Sequence, residues 1–173
     1  MEIESPWPSV RVSVYTFDVP DIYRSAASIL VLCPQNTGGD FPYHVLLLHK
    51  PRKQDSWQLP QGGAEEGEDT AQTALRELSE EAGIHSAKLI GKGSDVYQYD
   101  FPASYRRFRP DNVRGQRIEF VIATVPADTV VQVDRKEVDK FVWVSPSDLQ
   151  RYIRRKEYLE LVYRLIEEAR GMM

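Results

Sequence analysis

The chain has 173 residues, of which 42% are hydrophobic, and a formal net charge of −4. This length fits a single domain spanning 1–173 with its own core, and the negative charge disfavours broad electrostatic binding of nucleic acid, so DNA is not an expected partner. No apolar run approaches the roughly 20 residues that cross a membrane, the N-terminus lacks the regions of a signal peptide, and a single cysteine excludes an internal disulfide. A cytoplasmic protein without a membrane partner is expected.

Strands and helices are predicted to alternate along the chain. The N-terminal extension, residues 1–20, contains an alternating segment, VRVSVYTF (10–17), that is typical of a strand. Two apolar runs are then predicted to be buried strands, SAASILVLC (25–33) and YHVLLLHK (43–50). The segment WQLP (57–60) leads into the most informative part of the chain.

That part, residues 62–84, reads GGAEEGEDTAQTALRELSEEAGI. Asp69 can cap a helix that starts at Thr70, and Gln72 at the third helical position completes a capping box. Gly83 is a natural C-terminal stop for this helix. One apolar stripe at helical spacing predicts the face that packs on the core, formed by Ala71, Ala74, Leu75, Leu78 and Ala82.

Beyond this helix, extended segments are predicted at 87–101, 117–125 and 140–144. Ser145 can cap a short helix with Pro146 at its first position. A last helix is predicted over 156–170, because its apolar residues recur at helical spacing. The order of elements predicts an α/β fold, an α/β/α sandwich with a mixed β-sheet.

Three glutamates of the first helix, Glu77, Glu80 and Glu81, fall within roughly 100° of arc, since each residue turns a helix by about 100°. Like charges this close raise each other's pKa unless a cation lies between them. Hard oxygen ligands of this kind suit Mg²⁺, with Mn²⁺ as a substitute. The alternative is a solvated, glutamate-rich helix face. Arg76 can pair with Glu68 in the preceding loop or with Glu80 one turn on.

The same residues have the spacing G-x5-E-x7-R-E-U-x-E-E-x-G-U, where U is a bulky aliphatic residue, and every defined position is filled. In this the chain resembles the Nudix hydrolases, which use Mg²⁺ or Mn²⁺ to hydrolyse a nucleoside diphosphate linked to another group. The resemblance implies a metal site formed by the backbone carbonyl of Gly62 and three catalytic glutamates, Glu77, Glu80 and Glu81. It implies structural roles within the motif for Glu68, Arg76 and Gly83.

The flanking segments DSWQLPQGG, YQYDFP, RGQRIEF and EVDKFVWVS occur in an order that resembles one branch of the family. That branch holds the dinucleoside polyphosphate hydrolases and the bacterial RNA pyrophosphohydrolases. There, a further acid outside the motif acts as a metal ligand or general base, and Glu137 is aligned with that role, with Glu119 and Asp139 as weaker candidates. The chain departs from the branch in its N-terminal extension, in a longer 34–42 loop, and in Glu119, where relatives often carry Lys or Gln.

Positive charge is concentrated in two places. Residues 105–117, YRRFRPDNVRGQR, hold five arginines and one aspartate, and a shorter basic pair precedes the motif. These groups can contact phosphates, and an aromatic ring can stack on a purine. The expected substrate contacts are therefore Arg52, Lys53, Tyr99, Arg106 and Arg107. The alternatives are a solvated loop whose arginines pair with surface acids, and aromatic rings that serve only packing.

Three functions remain open from the sequence. The favoured one is hydrolysis of a phosphoanhydride bond in diadenosine tetraphosphate or a related dinucleotide, or in the 5′-triphosphate end of RNA. A second is a pyrophosphatase that acts on free nucleoside triphosphates. A third, of another class, is a non-catalytic module that senses nucleotides or binds RNA. Loss of motif glutamates would favour this last function, and none is lost.

Overall fold

The computed structural model describes residues 21–36, 38–53, 57–106 and 113–173. The predicted strand at 10–17 lies outside these residues. Within them the strands are β1 (Ile22–Pro34), β2 (Tyr43–His49), β3 (Trp57–Gln58), β4 (Gln61–Gly63), β5 (Lys88–Asp100), β6 (Val113–Thr124) and β7 (Lys140–Val144). The helices are α1 (Thr70–Ala82), α2 (Ala103–Arg106), a 3₁₀ helix (Pro146–Arg151) and α3 (Lys156–Met172).

The described strands form one mixed sheet. Its main path runs β3-β2-β1-β6-β5, with β4 paired to β1 and β7 paired to β2. Strands β1 and β6 are parallel, and the other pairings are antiparallel. Strand β1 lies at the centre, and its residues from Ile29 to Leu32 have no exposed surface. Burial on both faces explains why this strand reads as a continuous apolar run rather than an alternating one.

Helices α1 and α3 cover opposite faces of the sheet. On β1, Ile29 packs in the same apolar cluster as Leu78 of α1. The next residue, Leu30, packs in a second cluster with Leu161 and Leu165 of α3. Successive strand residues point to opposite faces, so the central strand joins both cores. The predicted α/β/α sandwich with a mixed sheet is confirmed.

The predicted ends of α1 are present. The Asp69 carboxylate accepts the backbone N–H of Gln72 at 2.8 Å, and the Gln72 side chain accepts the backbone N–H of Asp69 at 2.9 Å. Gly83 has φ 64°, a left-handed conformation that glycine adopts without a steric penalty. Its N–H donates to the carbonyl of Ser79 at 3.0 Å. The local sequence therefore fixes both ends of the helix.

Two predictions of detail are only partly right: the short helix with Pro146 at its start and the strand over 117–124 are present, but each differs in one respect. Ser145 makes no capping hydrogen bond with its side chain, and the segment after it is a 3₁₀ helix; the Ser145 hydroxyl instead lies 2.9 Å from that of Ser147. Strand β6 begins at Val113 rather than at residue 117, because its pairing with β1 continues through Gly115 to Val113. Among the described residues no helix is long and apolar enough to cross a membrane.

Candidate active site

Helix α1 presents its glutamates to the loop that precedes it. Buried Ala74, Leu78 and Ala82 fix the helix against the sheet, and Gly62 on β4 pairs with β1 beside it. A Cβ atom at Gly62 would collide with the carboxylate of Glu77. Only glycine allows this close approach, so the backbone of Gly62 lies directly beside the Glu77 carboxylate.

Arg76 ties the loop to the helix. Its Nε donates to Glu68 at 2.7 Å, and its Nη2 donates to the carbonyl of Gly63 at 2.9 Å. Its Nη1 donates to Glu77 Oε1 at 2.8 Å and to Glu80 Oε2 at 3.2 Å. The expected pairings of Arg76 with Glu68 and Glu80 are thus both present. The guanidinium lowers the pKa of Glu68 to about 2.

Glu81 is buried, unlike the solvated helix face considered from the sequence. It is 2% exposed and contacts the ammonium of Lys50, which is 8% exposed. Its second oxygen accepts the backbone N–H of Gln61 at 3.2 Å. Burial raises the pKa of Glu81 to about 7, against the opposing effect of Lys50. Burial also raises the pKa of Glu77. A further positive charge among these carboxylates would favour their ionised form.

The donor set fits a hard divalent cation. Glu77 Oε1 and Glu80 Oε2 lie close enough to share one Arg76 nitrogen, and Glu81 is one helical position further on. In the described chain no three acidic, His or Cys side chains converge tightly enough to hold a metal ion, and oxygens of the cluster contact Arg76 and Lys50. Oxygen ligands in this arrangement are those that Mg²⁺ and Mn²⁺ prefer.

The two acids outside the motif lie in different places. Glu137 is exposed in the turn before β7, close enough to Lys53 to act on its pKa, as Glu81 does. Glu119 accepts Thr70 Oγ1 at 2.6 Å, Lys92 Nζ at 2.9 Å and Arg117 Nη1 at 2.9 Å. Glu119 thus contacts the N-terminal end of α1, and the helix rises about 10 Å from Thr70 to Glu77 and about 16 Å to Glu81.

The expected phosphate contacts are only partly brought together. Arg52 and Lys53 lie in the exposed turn after β2. Protein atoms around the Lys53 ammonium, and then the like charge of Lys50, lower the pKa of Lys53. Arg106 ends α2, and Arg107 lies outside the described residues.

Two arginines of the 105–117 segment that the structure describes are paired. Arg114 donates to Asp100 and to Asp21, each at 2.8 Å, and Arg117 pairs with Glu119. For these two arginines the structure shows pairing with surface acids.

Tyr99 belongs to a ring cluster on the α3 side of the sheet. Its ring centroid lies 5.8 Å from those of Tyr97 and Phe101, and its hydroxyl donates to Gln116 at 2.8 Å. The ring is half-buried and packs against the α3-side core. In this conformation the Tyr99 ring packs on its neighbours, and its role as a substrate contact stays a prediction.

Two candidate site residues were missed from the sequence. Lys50 follows the apolar run of β2 and is buried against Glu81. The sequence signal for this was a charged residue directly after a strand that is predicted to be buried. Arg24 lies on β1, and its guanidinium covers Gly63 so closely that a Cβ atom there would collide with it. Arg24 has no ion pair within the described ranges. The one sequence feature that could have identified it as a candidate is its position at the start of an apolar strand.

The chain is similar to known proteins of one family. Residues 22–165 match the NUDIX domain. The chain is 37% identical over 107 residues to Nudix hydrolase 27, a chloroplastic protein of Arabidopsis thaliana, covering 58% of this chain but only 44% of that protein. It is 32% identical over 124 residues to an RNA pyrophosphohydrolase of Bartonella quintana, covering 66% of this chain and 70% of the relative.

The fold is also that of a solved C. elegans Ap4A hydrolase, with a TM-score of 0.64, 20% identity, and coverage of 86% of this chain and 98% of the other. At that identity the likeness concerns the fold. The NUDIX match covers most of the chain, so the protein belongs to the Nudix hydrolase family.

Proposed function

We propose that this protein is a divalent-metal-dependent pyrophosphohydrolase that cleaves a phosphoanhydride bond in a nucleotide polyphosphate. The observation that carries the proposal is the cluster on α1, where Glu77 and Glu80 share one Arg76 nitrogen and buried Glu81 lies beside them. Mg²⁺ bound there, with Mn²⁺ as a substitute, would neutralise phosphate charge and lower the pKa of a bound water. A cytoplasmic location is part of this proposal.

The remaining roles belong to side chains around the cluster. Glu77, Glu80, Glu81 and the Gly62 carbonyl hold the cation in this proposal. Glu137 takes the proton of the attacking water, or adds a metal ligand. A proton acceptor must lie within hydrogen-bond reach of that water, and a long side chain in the turn beside Lys53 is suited to this. Arg76 and Glu68 keep the loop and the helix together.

The favoured substrates are dinucleoside polyphosphates such as diadenosine tetraphosphate, together with triphosphorylated RNA 5′ ends. The names of the relatives support both. Three exposed cationic side chains beside the cluster are proposed to contact the phosphate chain of the substrate, namely Arg24, Arg52 and Lys53. Arg106, Arg107 and Tyr99 are further proposed contacts. One metal and polyphosphate site can serve both substrates, so this geometry does not rank them.

A substrate panel tests the proposal. The purified protein is incubated with Mg²⁺ and, separately, with diadenosine tetraphosphate, a set of nucleoside triphosphates and 5′-triphosphorylated RNA, and the products are resolved by chromatography. Mg²⁺-dependent cleavage of a dinucleotide or of RNA ends is expected. Preference for free triphosphates would select the housecleaning or biosynthetic alternative. Tight binding of nucleotide without cleavage of any substrate would select the sensing alternative and overturn the proposal.

A further inference from the structure

One side chain organises the turn that carries Glu137. The Oδ1 atom of Asp134 accepts the backbone N–H groups of Lys136 at 2.9 Å, Glu137 at 3.1 Å and Val138 at 3.0 Å. Aspartate side chains commonly bind backbone donors two residues on, but here a single oxygen accepts three consecutive donors. The backbone on both sides of Glu137 is therefore fixed to one atom.

The turn is closed by a second backbone feature. Arg135 has φ 61°, a left-handed conformation that is uncommon for a residue with a Cβ atom. Its N–H donates to the carbonyl of Val138 at 2.9 Å. Such a conformation persists where the surrounding contacts hold it, and the three hydrogen bonds to Asp134 supply them.

The far end of the turn is anchored to the strand that carries Lys50. Val138 is fully buried. The N–H of Asp139 donates to the carbonyl of His49 at 3.2 Å, and its carboxylate lies 2.5 Å from His49 Nδ1. His49 is followed directly by Lys50, which contacts Glu81. A short path of bonded and hydrogen-bonded groups thus links Glu137 to the glutamate cluster.

We propose that Asp134 is a positioning residue, which holds the 134–138 turn so that the Glu137 carboxylate faces the reacting water. The inference rests on the proposed function, because it needs Glu137 to take part in the reaction. Glu137 is exposed on a flexible side chain, so its reach is set by where the backbone of the turn places it. Without the Asp134 carboxylate, the three N–H groups would donate to water instead, and Arg135 would no longer be held in its left-handed conformation. The backbone that carries the Glu137 side chain is then no longer held in one position.

Three single variants test the role of Asp134. Asp134→Ala should lower kcat by about 10-fold to 100-fold, the cost expected of a misplaced catalytic group, with little change in KM. Asp134→Asn should restore most of the turnover, because its amide oxygen can accept the same three N–H groups. Asp128→Ala is the matched control: Asp128 is exposed in the same β6–β7 connection and accepts no hydrogen bond among the described residues. This control should keep its turnover.

A double-mutant cycle separates positioning from a general loss of structure. If Asp134 acts through Glu137, the Asp134→Ala/Glu137→Gln protein should be no slower than Glu137→Gln alone. Multiplying effects, or a normal Asp134→Ala enzyme beside an impaired Glu137→Gln one, would overturn the inference and leave the proposed function intact. A normal Glu137→Gln enzyme would remove both the assigned role of Glu137 and the inference. If the alanine variant does not fold, Asp134→Ser, which keeps one acceptor, takes its place in the same cycle.

Discussion

The glutamates beside the two ends of α1 are in opposite electrostatic states, with Glu119 of β6 at one end and Glu77 and Glu81 of α1 at the other. At the N-terminal end, Glu119 is held by three donors, and these hydrogen bonds, led by the one from Thr70, lower its pKa to about 2. In the C-terminal half, burial raises the pKa of Glu81 to about 7 and raises that of Glu77 as well. The residue type is the same, and its surroundings decide its charge.

The difference lies first in burial and then in the donors that each carboxylate has. Glu119 is only partly buried and accepts from two cations and a hydroxyl. Glu81 is 2% exposed, and Glu77 shares the guanidinium of Arg76 with two other carboxylates. A satisfied carboxylate stabilises the fold and gains little from a metal. A buried carboxylate with too few donors gains much from one. We therefore propose a structural role for Glu119 and a catalytic role for the glutamates of α1.

The largest expected effect comes from removing charge from the glutamates of α1. Glu81→Gln and Glu80→Gln keep the shape but remove an anionic ligand, so kcat should fall by about 10³-fold, since a metal contributes several kcal/mol and each 1.4 kcal/mol is tenfold. Turnover is measured with saturating Mg²⁺, and folding is checked by circular dichroism.

Glu119→Gln serves as the control for these variants beside the N-terminal end of α1, and it should keep its turnover. Full activity of Glu80→Gln, or wild-type turnover that survives thorough chelation, would contradict the metal mechanism.

Glu137 is the next position at which to break the comparison. If Glu137 is the proton acceptor or an extra ligand, Glu137→Gln should lower kcat by about 100-fold or more, which is the usual contribution of a positioned base. KM should change much less. Steady-state kinetics on the preferred substrate of the panel measure both constants. A crippled Glu119→Gln enzyme beside a normal Glu137→Gln enzyme would mean that the wrong acid has been assigned.

Glu68 sharpens the comparison through stability rather than turnover. Its folded pKa is about 2, lowered first by the hydrogen bond from Arg76, and an unperturbed glutamate has a pKa of about 4.3. Because the folded value is the lower one, the stabilisation is complete above the unfolded pKa and is lost as the pH falls toward the folded one.

Urea unfolding from pH 5 to pH 2.5 should therefore show a steeper loss of stability in the wild type than in Glu68→Gln. Equal slopes for the two proteins would show that this carboxylate is not perturbed.

The smallest expected effect concerns the arginines before β6. Neutralising Arg106 and Arg107 together with Gln should raise KM severalfold at low salt and less at high salt, because ionic strength screens long-range attraction over a Debye length of about 8 Å at physiological salt. Turnover at saturation should stay near the wild-type value. Wild-type KM at low salt on both dinucleotide and RNA substrates would exclude these arginines from substrate binding. Arg114→Gln, which removes a paired arginine, provides the matched control.

Much of the fold was predictable because its signals are local. The capping box at Asp69 and the left-handed Gly83 depend on neighbours within a few residues, and the apolar run of β1 reports burial on both faces. The same locality placed Glu77, Glu80 and Glu81 on one helical arc. At Ser145 the predicted side-chain cap is absent, and the hydroxyl pairs with that of Ser147 instead.

The sequence by itself predicted the class of site, because a helix with defined ends places carboxylates at this spacing on one arc. Only the tertiary structure decided the state of each carboxylate. The pairing of buried Glu81 with Lys50 joins residues 31 positions apart, and the contact of Glu119 with Thr70 joins residues 49 apart. Burial and long-range pairing set the charge of these groups, and neither can be predicted from residues that are neighbours in the sequence.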